Sequence, residues 1–252
     1  MDKNEIATAL KFAKENSKKR NFKQSIDLII NLKDVDLKKP DNQIDIFVPL
    51  HFGTGHIIKV CALVGPELLS QAKDVCDLAI SIDEFDKYKD KKVAKKLAEE
   101  YDYFIAQATI MPKVATTFGK VFGPKAKMPN PKAGCVVPPN ANLKPLYERL
   151  QKMVKVTIKK DPLFQCLVGK EDSKDEEVID NVLTIYNAVI HQLPNERHNI
   201  KSVYLKLTMG PSIKIGQKPQ LKDSEKKDEK TSEKPKEEQE KTTKEDKIAG
   251  SK

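Results

Sequence analysis

Lys201-Ser202-Val203-Tyr204-Leu205-Lys206-Leu207-Thr208-Met209-Gly210-Pro211-Ser212-Ile213-Lys214-Ile215 reads as two short strands with a break between them. Val203, Leu205 and Leu207 alternate with Ser202, Tyr204, Lys206 and Thr208, the two-residue period of a strand buried on one face. Gly210-Pro211 interrupts the ladder, because proline has no N–H to donate and glycine accepts backbone angles that other residues avoid. Ile213 and Ile215 resume the alternation. The break sets a hydroxyl, a thioether and bare backbone together at the edge of a sheet, a surface able to press closely on a partner.

Outward from this stretch, the two ends of the chain share one style and the middle has another. Ile6, Leu10, Phe12 and Ala13 give helical spacing within residues 3–17. Residues 20–30 turn β-rich, with Ser25, Asp27 and Ile29 on one face and Ile26, Leu28 and Ile30 on the other. Residues 44–48 and 59–64 are further strands, stopped by Pro49 and by Gly65-Pro66. The same style returns at 153–158 and 164–168 and in an amphipathic helix over 175–191. Between them, helical patterns at 67–75, 91–100 and 112–122 alternate with short apolar strands at 78–82 and 101–106, the mark of a parallel sheet covered on both faces. The expected fold class is therefore mixed α/β and α+β in two domains. Residues 1–64 with 153–216 form a discontinuous α+β domain, and residues 65–152 an inserted, Rossmann-like α/β domain of three layers. Two connections between them would act as a hinge. Residues 217–252, rich in Lys and Glu with almost no apolar side chains, are expected to remain a disordered tail.

The 46 Lys and Arg exceed the 37 Asp and Glu, for a net charge of +9. After Gly216 there are eleven lysines against ten carboxylates, so nearly all the excess rests on the folded part and favours an anionic partner. Cys61, Cys76, Cys135 and Cys166 lack paired spacing and read as reduced core thiols. The amino terminus has no apolar signal segment, and no run reaches the roughly 20 residues that span a bilayer, so a cytoplasmic protein without a membrane partner is expected.

Catalytic motifs fail on inspection. Gly119-Lys120-Val121-Phe122-Gly123-Pro124-Lys125 lacks the spacing of a phosphate loop and the hydroxyl after its lysine. His51-Phe52-Gly53-Thr54-Gly55-His56 lacks the third glycine of a dinucleotide turn. His51, His56, His191 and His198 pair with no cysteine at metal-ligand spacing, Asp83, Glu84 and Asp86 suit a solvated loop, and no nucleophile stands in an elbow or triad context. The chain is read as a non-enzyme without cofactor or metal.

Two basic stretches favour binding. Lys120, Lys125, Lys127 and Lys132 are spread along a long loop stiffened by Pro124, Pro129 and Pro131, which lowers the entropy lost when lysines meet a phosphate backbone. Phe22 stands among Arg20, Asn21, Lys23 and Gln24 just before a strand. It suits either stacking on RNA or a core position at the helix–strand junction.

Taken together, the motifs resemble a known family. Thr208-Met209-Gly210-Pro211-Ser212, preceded by Ser202-Val203-Tyr204, looks like the carboxy-terminal signature of the universal large-subunit ribosomal stalk proteins, the ribosomal protein L-one family. Gly119 to Gly134, with Met128-Pro129-Asn130-Pro131-Lys132-Ala133-Gly134, matches its second signature; Phe22 with Ser25 and Leu167-Val168-Gly169-Lys170 also fit. The likeness runs in order over residues 1–216, and Gly-Cys-Val-Val-Pro-Pro at 134–139 resembles archaeal members. It implies a structural constituent of the large ribosomal subunit that binds ribosomal RNA directly, forms the mobile stalk near the exit-site tRNA, assists release of deacylated tRNA, and represses translation of its own messenger RNA.

The resemblance further implies a ribosome-associated protein, monomeric when free, with RNA contacts at Phe22, Ser25, Ser202, Thr208, Met209 and Gly210, and Lys170 and Tyr204 as additions. The lysine loop of the inserted domain would face tRNA. Alternatives are an RNA-binding regulator acting off the ribosome and a nucleotide-binding α/β enzyme. Two departures stand out: Ala126 where family members usually carry glycine, and the charged tail after Gly216.

Overall fold

A computed structural model describes residues 1–39, 42–159 and 161–216. The tail from residue 217 lies outside the described residues. In chain order the elements are α1 (Lys3–Glu15), β1 (Ser25–Leu32), β2 (Ile44–Pro49), β3 (Val60–Val64), α2 (Pro66–Val75), β4 (Leu78–Ser81) and α3 (Lys91–Glu100). Then come β5 (Tyr103–Gln107), α4 (Met111–Phe122), β6 (Val136–Val137), α5 (Leu143–Gln151), β7 (Met153–Ile158), β8 (Leu163–Lys170), α6 (Asp175–Ile190), β9 (Ile200–Leu207) and β10 (Ile213–Lys214).

The terminal segments meet in an antiparallel sheet ordered β10-β9-β1-β8. Its inner face carries the predicted alternation. Ile26, Leu28 and Ile30 from β1, and Leu205 and Leu207 from β9, are fully buried. They pack with Ile6 and Leu10 of α1 and Val182, Ile185 and Val189 of α6. Burying each such side chain contributes about 1.5–3 kcal/mol, enough to fix the register, since a slip of one residue would turn the whole row to solvent. The antiparallel ribbon β2–β7 adds Ile44, Val48, Val156 and Ile158 to this core.

The middle of the chain builds a parallel sheet, β4-β3-β5-β6. One face packs Leu63, Phe104 and Ala106 against Leu97 of α3 and Phe118 and Phe122 of α4; the other packs Ala62, Val64 and Ile105 against Leu68 of α2 and Leu143 and Leu150 of α5. Both faces are covered, as the apolar strands predict.

Four expectations need correction. Residues 60–64, expected to belong with the terminal segments, pair in parallel with β4 and β5. All five are buried, which suits a central parallel strand rather than a half-exposed one. The break after Leu207 lies at the end of the internal strand β9, not along a lateral edge, because β10 folds back and supplies the edge itself. Helix α5 and strand β6 escape the sequence pattern because Pro138, Pro139 and Pro145 mask them. The Asn142 side chain nonetheless caps α5 by accepting from Lys144 N–H at 3.1 Å.

The fourth correction concerns Gly123 to Lys127, which is the end of a helix and not an open loop. Ala126 N–H donates to the Gly123 carbonyl and Lys127 N–H to the Phe122 carbonyl, each at 3.0 Å, the paired bonds of a Schellman turn. Ala126 occupies its left-handed position at φ 52°, where glycine is ordinarily preferred.

Candidate nucleic-acid interface

The break at Thr208–Pro211 is held from beneath by a buried amide. Gln24, fully buried, accepts Met209 N–H on its side-chain oxygen at 3.1 Å. Its side-chain nitrogen donates to Ser17 Oγ at 2.9 Å and to the Lys18 carbonyl at 3.3 Å, and its backbone carbonyl accepts Glu171 N–H at 2.9 Å. One residue thus ties together the end of α1, the entry to β1, the exit of β8 and the break after β9. A buried amide with its bonds met is worth keeping; losing one partner leaves the others unpaired at about 1–3 kcal/mol.

On this base, Thr208 and Ser25 form a reciprocal pair. Thr208 N–H donates to the Ser25 carbonyl and Ser25 N–H donates to Thr208 Oγ1, both at 3.0 Å, while Thr208 Oγ1 also lies 3.3 Å from the Ser25 carbonyl. The Thr208 hydroxyl is therefore engaged inside the protein and orients the turn, leaving spare acceptor capacity outward. Lys170 faces Ser25 across the β1–β8 ladder. Gly210 sits over the end of α1, where an added Cβ would meet Leu207 Cβ at 3.3 Å and Ser17 Cβ at 3.5 Å. Two apolar side chains flank these groups in solvent, Met209 at 59% and Phe22 at 52% exposure. Of the two readings of Phe22, the core position is excluded.

The structure thus gathers Phe22, Ser25, Lys170, Thr208, Met209 and Gly210 at one end of the sheet. Ser202 and Tyr204 lie elsewhere on its open face, opposite α1 and α6. Ser202 is six residues from Thr208, roughly 20 Å along the strand, and its Oγ accepts from Asn31 Nδ2 at 3.1 Å. Tyr204 pairs with Ile29 on one side and Lys214 on the other. The face between carries one carboxylate, Asp27, opposite Lys206 and Leu167. Burial raises the Asp27 pKa above its ordinary value, against the opposing pull of the Lys206 ammonium.

The lysine segment is arranged differently from the expectation that it lies free. Lys125 Nζ pairs with Glu99 of α3 at 3.0 Å, and Lys127 Nζ donates to the Tyr101 carbonyl at 2.7 Å. Lys120 and Lys132 remain exposed. Gln24 is the member of the site that sequence reasoning misses. It stands among basic residues before β1, and no pattern marks a glutamine that will be buried.

At the carboxyl ends of β3 and β5, where such sheets usually take nucleotides, the buried side chain of Gln107 is bonded within the protein. It accepts Gly65 N–H at 2.9 Å and donates to Glu67 at 3.2 Å. Burial raises all four thiols, Cys76 and Cys135 to about 11 and Cys166 to about 12, which leaves them protonated and poor nucleophiles at neutral pH. Among the described residues no cluster of three His, Cys, Asp or Glu side chains could hold a metal ion, and no helix is long and apolar enough to cross a membrane.

Fold and site together present a polar, cation-bearing sheet end flanked by exposed apolar side chains. Residues 12–211 match the model of the ribosomal protein L1p/L10e family, and the chain belongs to that family of structural, non-enzymatic proteins. It is similar to archaeal proteins named large ribosomal subunit protein uL1. That of Methanothermococcus thermolithotrophicus is 45% identical over 216 residues, covering 85% of this chain and 99% of the relative. Those of Methanobrevibacter smithii and Pyrococcus abyssi are 43% and 40% identical, covering 84% and 85% of this chain and 98% and 96% of theirs.

Proposed function

We propose that this protein is a cytoplasmic constituent of the large ribosomal subunit that grips a segment of large-subunit ribosomal RNA with the sheet end around Thr208-Met209-Gly210. The observation that carries this reading is the combination at one place of an oriented Thr208 hydroxyl, a glycine packed closely over the end of α1 and two exposed apolar side chains on a base fixed by Gln24. Folded RNA is recognised largely by shape, through 2′-hydroxyls, phosphates and unstacked bases. Ser25 and Thr208 offer oxygens to such groups, Gly210 lets the turn pack down on the end of α1, and Met209 and Phe22 offer surfaces for a sugar or base. Lys170, together with Lys206 on the open face, adds salt-dependent attraction without sequence information.

In the same reading the chain has two domains, with the terminal segments anchoring the RNA and the inserted parallel sheet carried on two connections. Separate hydrophobic cores support this, and the pairing of Val60–Val64 moves the first junction to the residues before Val60. The inserted domain then forms the mobile stalk facing exit-site tRNA and assists its release, with the exposed Lys120 and Lys132 nearer to that task than Lys125 and Lys127. The free protein is monomeric and represses translation of its own messenger RNA through a mimic of the ribosomal site. Crosslinking in cells followed by sequencing tests the proposal. Recovery of one defined large-subunit RNA segment, with co-sedimentation in large subunits, is expected; dispersed RNAs and sedimentation away from subunits would point to a regulator off the ribosome.

A further inference from the structure

A cavity of about 370 Å³ lies between the β2–β7 ribbon and the amino-terminal ends of β3 and β5. It lies apart from Gln107 and uses none of the residues at the sheet end. Its size falls at the lower end of the range for small-molecule sites, room for one nucleotide rather than two. Three aromatic residues line it: Phe47 from the ribbon, Tyr103 from the first position of β5, and the buried Phe104 next to it. Lys155, the cross-strand partner of Phe47, holds its ammonium 5.7 Å from the centre of that ring and forms no ion pair among the described residues. Lys127 reaches the rim with its ammonium positioned by the Tyr101 carbonyl. Asp102 stands at the same rim; its carboxylate receives only a long bond from Lys59 N–H at 3.4 Å, with His56 Nε2 3.7 Å and Lys127 Nζ 3.8 Å away.

We propose that this cavity binds a nucleotide, with the base between Phe47 and Tyr103 and the phosphate at Lys155 and Lys127. Aromatic walls suit the π-face of a base, and ammonium groups over an aromatic-lined cleft suit an anion attached to it. The Asp102 carboxylate, an acceptor with unused lone pairs, selects bases that present an exocyclic amino group, so adenine and cytosine are favoured over uracil. The nucleotide is either free in solution or an unstacked residue of an RNA chain.

Titration of the full chain with AMP, CMP, UMP, adenosine and inorganic phosphate, followed by calorimetry and by amide NMR, tests this. Saturable shifts at the amides of Phe47, Tyr103 and Asn130 with AMP and CMP are expected, with UMP and adenosine weaker by about threefold or more, roughly 0.65 kcal/mol at the least, and phosphate alone silent. Lys155→Ser, a partly exposed position, is expected to weaken AMP by about fivefold or more with the melting temperature unchanged. A short single-stranded oligoadenylate that binds more tightly than AMP, competes with it and loses affinity in Lys155→Ser assigns the site to a residue of an RNA chain; an oligomer with no advantage assigns it to the free nucleotide. Absence of saturable shifts with every nucleotide and with the oligomer at millimolar concentration overturns the proposal, as does equal AMP affinity in Lys155→Ser. Thr208→Ala leaves AMP binding unchanged and Lys155→Ser leaves stalk-RNA binding unchanged, so the two proposals fail separately.

Discussion

The end of β9 and the end of α4 both hold a stretch that resembles a family signature, both contain a Gly-Pro pair, and both interrupt regular structure, yet they do opposite things with their side chains. At Thr208–Pro211 the backbone groups are turned inward, onto Gln24 and Ser25, and the apolar side chains are left outside. At Gly123–Lys127 the basic side chains are turned inward, onto Glu99 and the Tyr101 carbonyl, and the backbone completes a helix cap. The first arrangement presents a rigid surface to a partner. The second holds the molecule together. On the proposed reading, charge is a poor guide to which of the two stretches grips RNA, and the burial of hydrogen-bonding backbone is a better one.

The contrast is tested most severely at its base. Gln24→Leu removes the acceptor for Met209 N–H and the donor to Ser17, and is expected to cost about 2–3 kcal/mol of stability by denaturant titration. RNA affinity should fall by more than that loss explains, because the turn is released. A variant that binds stalk RNA normally would show that the turn needs no support. Next in size, the double change Phe22→Ala with Met209→Ala should weaken RNA binding by about 1–3 kcal/mol, the usual loss for a stacking side chain, with the unfolding midpoint unchanged since both are exposed.

At the other signature the expected effects are smaller and concern folding. The left-handed conformation of Ala126 costs about 1–2 kcal/mol, while a glycine there would add about 0.4–1 kcal/mol of unfolded-state entropy. The net expectation for Ala126→Gly is a gain of roughly 0.5–1 kcal/mol in thermal or chemical unfolding, with no change in RNA affinity. Loss of stability would contradict the strain at φ 52°.

The smallest effect belongs to Asp27 on the open face. Its pKa is raised in the folded state, so the native protein holds that proton more tightly than the unfolded chain does. Stability from this group is therefore greatest at acid pH, and falls as pH rises from the unfolded value through the folded one. Asp27→Asn should remove that slope, stabilise the protein at neutral pH by less than about 1 kcal/mol, and slightly strengthen RNA binding by deleting a negative charge. A steeper slope in the variant would rule this out.

Much of this fold is legible in the pattern of residues alone. The alternation in 203–207 and 26–30, and the unbroken apolar strands of the middle, state which faces are buried and which sheet is parallel. Residues 60–64 resist placement because a buried parallel strand of five residues carries no alternation to assign it to one sheet or the other. Helix α5 is hidden by the proline in its first turn, a position where proline is in fact tolerated. The site is legible as a set of residue types but not as a place. Ser202 and Thr208 are close in sequence, and only the extended strand sets them apart; Gln24 is far from Met209 in sequence, and only the sheet brings them together.

The central claim is that the sheet end, and not the lysine segment, supplies specific grip on RNA. Filter binding of a stalk ribosomal RNA fragment to Thr208→Ala, Gly210→Val and Lys125→Ala measures this directly. The account predicts losses of about tenfold or more for the first two, roughly 1.4 kcal/mol each, and less than about threefold for Lys125→Ala. Equal losses for all three, or a larger loss for Lys125→Ala, would contradict it.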